Sequence, residues 1–287
     1  MNEMADILYL ESPAKVNLRL EILKKREDGY HEIRTIFQKI SLHDTLHFSL
    51  SRRRGIRITT DHPNLPTGKR NLIYRAVISL LKKSGYREGV EVEIKKRIPL
   101  GAGLGGGSSN AATTLKALNQ LLRMNLKKTE LMEIGVEIGA DVPFFLYEGS
   151  AIGSGVGDKL RKITLPTLWY ILIYPNFEIS TRWAYQNIIL TKSKYDINLH
   201  GLLKSREGIV RLLHNDLEEV VSARYSEIPL MKELLAGAGA MGTMMTGSGP
   251  TVFGIFFEEK RAAMAYRKIK DRVKDRGWTV IKAQGIP

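Results

Sequence analysis

The stretch PLGAGLGGGSSN at 99–110 constrains this chain more than any other. Glycine loses more conformational freedom on folding than any other residue, so a run this rich in it is costly unless the backbone must turn sharply or lie close to something. The run follows VEVEIKK, in which Val90, Val92 and Ile94 alternate as one face of a strand. It precedes Ala111, Leu115, Leu118 and Leu122, which repeat with a helical period. A strand, a glycine loop and a helix starting near Ser108 make an anion cradle. Residues without side chains let backbone N–H groups approach the anion, and the unpaired N–H groups of a helix's first turn point at it.

Residue identities separate the loops that share this order. The P-loop needs a Lys after its last Gly; Gly101 and Gly106 have the spacing, but Gly107 stands in the lysine's place. The dinucleotide fingerprint G-x-G-x-x-G is met by Gly101, Gly103 and Gly106. It also needs an acid at the end of the next strand, and the nearest acid, Glu130, sits at a helix start. The bare pattern recurs as GAGAMG at 237–242, so alone it carries little.

The rest of the chain mixes elements. AKVNLRLEIL, LHDTLHFSLS, GIRITT, WYILIYP and TVIKAQGI read as strands, and Ile73, Ala76, Val77, Leu80 and Leu81 mark a helix. Thr129 is placed to cap a helix over TELMEIGVEIG that stops at Gly139. ISTRWAYQNII opens another, and HNDLEEVVSARYSEIPLMKELLAGAGA is helical with a break near Pro229. MGTMMTGSGPTVFGIFF reads as strand, glycine turn, strand, and Arg261 to Arg276 as a charged amphipathic helix. Strands and helices without regular alternation predict an α+β fold with mixed and antiparallel sheets packed against helices. The 287 residues suffice for two domains, and glycine and charge rise together at 149–162, where a boundary after residue 157 is expected.

With no cysteine, disulfides, thiolate metal sites and a Cys nucleophile are excluded. The N-terminal MNEMADILYLE has no basic start, and Glu3, Asp6 and Glu11 interrupt its apolar residues, which does not fit an export signal. No stretch reaches the roughly 18 apolar residues of a membrane span, so the expectation is a cytoplasmic protein without membrane association. Lys and Arg number 44 against 30 Asp and Glu, a formal charge of +14 that attracts polyanions. The basic runs at 24–26, 52–54 and 95–97 are not interleaved with aromatics and read as solvated surface. On charge alone, nucleic acid and phosphorylated small molecules are both open as partners.

PLGAGLGGGSSNAA also closely resembles the P-x-x-x-G-L-G-S-S-A-A loop of the small-molecule kinases for galactose, homoserine, mevalonate and phosphomevalonate, the GHMP superfamily. Three more segments are similar to motifs of that superfamily, in its order: SPAKVNLRLEILKKREDGYHEIRTIFQKI at 12–40, IGADVPFFL at 138–146 and MMTGSGPTVFGIF at 244–256. PAKxNLxL with DGYHE resembles the branch whose acceptor is a cytidyl diphosphate sugar alcohol. The resemblance implies a two-lobed GHMP-kinase-like fold, with residues 1–157 as the ATP-binding lobe and 158–287 as the substrate-binding lobe. It implies ATP-dependent phosphorylation of the acceptor's 2-hydroxyl in non-mevalonate isoprenoid synthesis, with Mg²⁺ and no assigned protein ligand. The alternative within the superfamily is a kinase for homoserine or a mevalonate, whose substrates carry no base.

The resemblance also assigns roles. The ATP loop comprises Pro99, Leu100, Gly101, Ala102, Gly103, Leu104, Gly105, Gly106, Gly107, Ser108 and Ser109. Asp141 becomes the group that takes the acceptor's proton, although its place before Val142-Pro143 also suits a helix cap. Lys15, which alone would read as an exposed strand lysine, becomes the second catalytic residue, near Asp141, where a cation stabilises developing negative charge. Asn17 lies on the same strand face and could orient substrate. Tyr30 and His31 belong to the cytidine site, with Tyr185 or its rival Trp183, following Thr181, closing the stack. Gly247, Ser248 and Gly249 would present amides to substrate or transferred phosphate. Asn71, Leu72 and Lys96 are candidate neighbours of the adenine. One departure stands out: GSGVGD, with Ser154 and Asp158, replaces an A-R-G-x-G-E-like piece of the family.

Overall fold

The structure, a computed structural model, describes residues 7–188, 199–203 and 205–287. The first six residues of the N-terminal reading and Ile189 of ISTRWAYQNII lie outside them. In chain order the elements are β1 (Ile7–Lys25), β2 (His31–Ser51), β3 (Gly55–Thr60), α1 (Leu72–Ser84), β4 (Gly89–Lys95), α2 (Gly106–Leu121), α3 (Lys128–Ile138), α4 (Val142–Leu146), β5 (Ser150–Ser154), β6 (Lys159–Ile163) and β7 (Trp169–Tyr174). They continue as α5 (Thr181–Gln186), α6 (Leu199–Leu202), α7 (Arg206–Leu212), β8 (His214–Asn215), α8 (Asp216–Arg224), α9 (Glu227–Gly237), β9 (Gly242–Met245), β10 (Val252–Phe256), α10 (Glu259–Arg272) and β11 (Thr279–Gln284). The α+β class expected from the sequence is what forms.

The chain divides into two compact units. The first holds Met1–Ala14, His43–Leu100 and Gly105–Glu148; the second holds Lys15–Leu42, Gly101–Leu104 and Gly149–Pro287. The division is discontinuous, where the sequence reading places a single boundary after residue 157. The reason lies in β1 and β2, which are long enough to contribute one end to each unit.

In the first unit β3 pairs in parallel with β4, and β4 pairs antiparallel with Thr45–Ser51 of β2. Val90, Val92 and Ile94 are buried, as their alternation predicts. Helices α1 to α4 pack on one another and bury Ile73, Ala76, Val77 and Leu80 of α1 and Ala111, Leu115 and Leu118 of α2. In the second unit β1 runs parallel to β8, while Thr35–Phe37 of β2 pair with β5, and β5 with β6, both antiparallel. A second, wholly antiparallel sheet has the order β11-β7-β10-β9, with α9 and α10 packed on it. Its apolar core runs from Ile171 and Ile173 through Val252 and Phe256 to Leu235, Ala265 and Ile269.

Local signals misplace three boundaries. α3 begins at Lys128 rather than after Thr129, because Glu130 reaches back to the Lys127 N–H at 2.8 Å and closes the first turn there. The break expected at Pro229 falls between α8 and α9, at Tyr225 and Ser226. Pro229 lies in the first turn of α9, where its missing N–H leaves no hydrogen bond unmade. α2 begins at Gly106, ahead of the expected start at Ser108. No described helix is long and apolar enough to cross a membrane.

Candidate active site

The glycine loop and its helix have the geometry of an anion site. Gly105 caps α2 with φ +70°, a left-handed conformation that a side chain disfavours, and no side chain caps the helix. The first intrahelical bond runs from Ser109 N–H to the Gly105 carbonyl at 2.9 Å. The amides of Gly106, Gly107 and Ser108 therefore lack an i−4 partner within the helix. Of the two serines only Ser108 is partly exposed; Ser109 is fully buried and its hydroxyl accepts from Ser12 at 2.8 Å. Ala102 and Leu104 are buried and anchor the loop.

Beneath the loop, in the first unit, lies a carboxylate that motif reading missed. Asp44 is fully buried. Its Oδ1 accepts from the Arg97 and Ile98 N–H groups at 2.7 and 2.8 Å, and its Oδ2 from Lys96 Nζ at 2.5 Å and Asn110 Nδ2 at 3.0 Å. Lys96, a candidate adenine neighbour, is thus spent on a buried ion pair. Burial lowers its pKa, and the facing Asp44 opposes that shift. Asn71 is likewise a structural cap, accepting from Ile73 N–H at 2.9 Å. Leu72 lies near both Gly107 and Gly139, where a Cβ on either glycine would stand 3.7 and 3.8 Å from it.

Asp141 occupies the N-cap position of α4 and is half-buried, yet its side chain makes no capping hydrogen bond. Pro143 at the start of α4 removes one N–H that a cap would satisfy. Asp141 belongs to the first unit and Lys15 to the second.

Lys15 is only 4% exposed, not an open strand lysine. Its Nζ donates to Asn17 Oδ1 at 2.5 Å and lies 5.4 Å from the centroid of the Phe37 ring. Asn17 Nδ2 donates to the Thr35 hydroxyl at 2.8 Å, and that hydroxyl donates to the Arg19 carbonyl at 2.7 Å. The Asn17 backbone N–H donates to the Thr246 hydroxyl at 3.0 Å. Asn17, expected to orient substrate, therefore holds the Lys15 ammonium by its amide oxygen.

Two glycine segments far apart in sequence meet in the second unit. Gly103 has φ +76°, and a Cβ there would stand 2.3 Å from the Thr246 carbonyl oxygen, so only glycine fits. The Lys15 N–H donates to the Leu104 carbonyl at 3.0 Å, which ties this part of the loop to β1. Around Gly247 the expected triad of amides is reduced, because the Gly249 N–H closes a turn on the Thr246 carbonyl at 3.0 Å. The Ser248 hydroxyl lies 2.9 Å from that of Thr181.

This loop is held from behind by the start of α8. Asn215 Nδ2 donates to the Met245 and Gly247 carbonyls at 2.8 and 2.9 Å, while its Oδ1 accepts the Leu217 N–H at 3.0 Å. Glu218 accepts the Met245 N–H at 2.7 Å. Nothing near HNDLE in the sequence names Met245 as a partner.

The aromatic candidates resolve into two groups. His31 and Tyr185 lie with ring centroids 5.1 Å apart, tilted by 40°, and Tyr30 is 60% exposed. Trp183 is instead covered by the Arg224 guanidinium at 4.6 Å and meets Tyr225 edge-on at 6.0 Å. Burial, and then the charge of Lys25, lowers the His31 pKa. A neutral imidazole both donates and accepts, as reading a pyrimidine edge requires. Asp158 has become a turn residue, accepting the Val156 N–H at 3.1 Å between β5 and β6. Among the described residues, no three His, Cys, Asp or Glu converge as a metal site.

The unpaired amides at the start of α2, in the first unit, and a buried lysine held by an asparagine, in the second, are each groups that can stabilise phosphate charge. Two family models match the chain, GHMP kinases N terminal domain over residues 71–149 and GHMP kinases C terminal over 199–275. The chain is thus a small-molecule kinase of the GHMP type. Within that class it is 45% identical to the 4-diphosphocytidyl-2-C-methyl-D-erythritol kinase of Geobacter sp. (strain M21), covering 94% of this chain and 96% of the relative. It is 48% identical to the kinase of the same name from Syntrophus aciditrophicus (strain SB), over 90% and 93%. A crystal structure of 4-(cytidine 5'-diphospho)-2C-methyl-D-erythritol kinase superposes with a TM-score of 0.82 at 32% identity, covering 98% of this chain and 100% of that one. The chain belongs to the 4-diphosphocytidyl-2-C-methyl-D-erythritol kinase family.

Proposed function

We propose that the chain transfers the γ-phosphoryl group of ATP to the 2-hydroxyl of 4-diphosphocytidyl-2-C-methyl-D-erythritol, a step of non-mevalonate isoprenoid synthesis. The observation that carries this reading is the match to kinases of that name along nearly the whole of both chains. The paired rings of His31 and Tyr185, beside an exposed Tyr30, support an acceptor that carries a base.

In this reading the amides at the start of α2 hold the ATP phosphates. Asp141 accepts a hydrogen bond from the acceptor hydroxyl and takes its proton as the new P–O bond forms and the bond to the ADP oxygen breaks. The Lys15 ammonium, aimed by Asn17, stabilises charge spread over the transferred group. Gly247 and Ser248 offer amides to anionic oxygens, with Thr181 alongside. Tyr30, His31 and Tyr185 bind the cytosine, and binding energy from this remote part positions a crowded tertiary hydroxyl. Mg²⁺ would neutralise phosphate charge; we assign it no protein ligand, and the phosphates and water can supply its oxygens. The glycine loop lies within the span of the N-terminal family model, residues 71–149, which supports an ATP side there, while Tyr30 and His31 of the acceptor side precede that span. The protein works in the cytoplasm on small molecules, without membrane or nucleic acid.

The test is a coupled assay of ADP release with a panel of acceptors. Turnover with the cytidyl diphosphate substrate and none with homoserine or mevalonate is expected. The reverse pattern overturns the assignment.

A further inference from the structure

We infer that Asp44 is the positioning residue of the ATP loop: one buried carboxylate ties the backbone just before the loop to the helix turn just after it. The inference rests on reading residues 99–109 as the triphosphate loop. Oδ1 takes the Arg97 and Ile98 N–H groups, the last amides before Pro99. Oδ2 takes Asn110 Nδ2, one turn into α2. Both attachments lie in the same compact unit as Asp44.

The loop needs such a clamp. An amide cradle binds phosphate well only if its N–H groups are already aimed, since ordering them on binding subtracts from affinity. Glycine supplies the conformations the cradle uses but does nothing to hold them. The glycines here are flanked by Ile98 and Asn110, which are 0% and 2% exposed, and Asp44 bonds to both. Asn110 Nδ2 also donates to Ser12 Oγ at 3.0 Å, and Ser12 in turn bonds Ser109. The first turn of α2 is thus held at two consecutive residues.

Lys96 completes the device. A fully buried carboxylate is costly without an opposite charge, and Lys96 Nζ supplies it at 2.5 Å. The ammonium also packs under the loop: a Cβ on Gly106 would stand 3.1 Å from it. The Asp44–Lys96 pair therefore serves as a rigid floor, and its net charge is zero. It holds the amides without competing with the triphosphate for them.

The experiment measures binding of a non-hydrolysable ATP analogue and of adenosine by calorimetry, with KM for ATP and for the cytidyl acceptor. Asp44→Asn keeps the shape but sets an amide against the donors of Lys96 and Asn110. Affinity for the analogue and KM for ATP should each worsen about tenfold, while adenosine affinity and acceptor KM stay within about twofold. Equal weakening of adenosine and analogue, or no change in either, overturns the inference. Asn110→Ala cuts only the helix attachment and should weaken the analogue selectively by a smaller factor; it decides the matter if Asp44→Asn does not fold. If the unaltered protein binds adenosine as tightly as the analogue, the reading of the loop itself fails.

Discussion

Asp141 shows how little residue type says about role. Its position suits a helix cap, yet its side chain makes no capping hydrogen bond to α4. Asp141→Asn should lower kcat by about a hundredfold or more, in the range of general-base removal, with KM for ATP and the melting curve nearly unchanged. A rate within a few-fold of normal would dismiss it as the base. His31 allows a test by pH. Burial and Lys25 hold its pKa below the ordinary 6.5, so the neutral ring persists under mildly acidic conditions. Acceptor KM should stay flat as pH falls to about 6.5 and rise only below it, as the ring gains its proton. His31→Asn keeps a donor and an acceptor without titrating and should remove that rise. If the rise survives, His31 does not read the base. Lys15 and Trp183 were ambiguous in sequence for a single reason. Whether a lysine is exposed, or an indole already covered, depends on residues such as Phe37 and Arg224 that arrive from elsewhere in the chain.

Among the elements of the second unit, β1 and α8 position the most candidate groups. β1 delivers Lys15 and Asn17 from a strand that is buried almost continuously from Ser12 to Ile22. The start of α8 supports the 245–249 loop from behind. With the Met245 and Gly247 carbonyls drawn toward Asn215, these peptides are fixed in orientation. Asn215→Asp is a sharp test, because it keeps the cap on Leu217 and turns two donated hydrogen bonds into oxygen–oxygen repulsions. It should destabilise the fold by about 2–4 kcal/mol, from leaving buried carbonyls unpaired. Asn215→Ala should cost less, as measured by urea denaturation, and a milder Asp than Ala variant would refute this account. Most elements were legible in the sequence, because the periodicity of Val90–Ile94 or of Ile73–Leu80 follows directly from burial of one face. Their ends were less so. The start of α3 depends on the Glu130 carboxylate reaching back to Lys127, and the start of α2 on the backbone angle of Gly105.

For the whole molecule, the formal charge of +14 has a kinetic consequence. Both proposed substrates are polyanions, and a basic surface raises their encounter rate through a field that salt screens within about 10 Å at 0.1 M. Raising ionic strength should lower kcat/KM for the acceptor while leaving kcat nearly constant. A salt-independent kcat/KM would show the charge to be incidental to capture. The sequence by itself determined the kind of chemistry: a glycine loop between a strand and a helix, a DGYHE turn and a second glycine motif are local patterns, and their backbone demands are met within a few residues. Only the tertiary structure decided which polar residues support them. Asp44 finds Asn110, Asn17 finds Thr246 and His31 finds Tyr185 across long stretches of chain. A buried hydrogen bond or ring contact is specified by where two segments pack, and the residues on either side of each partner do not record it.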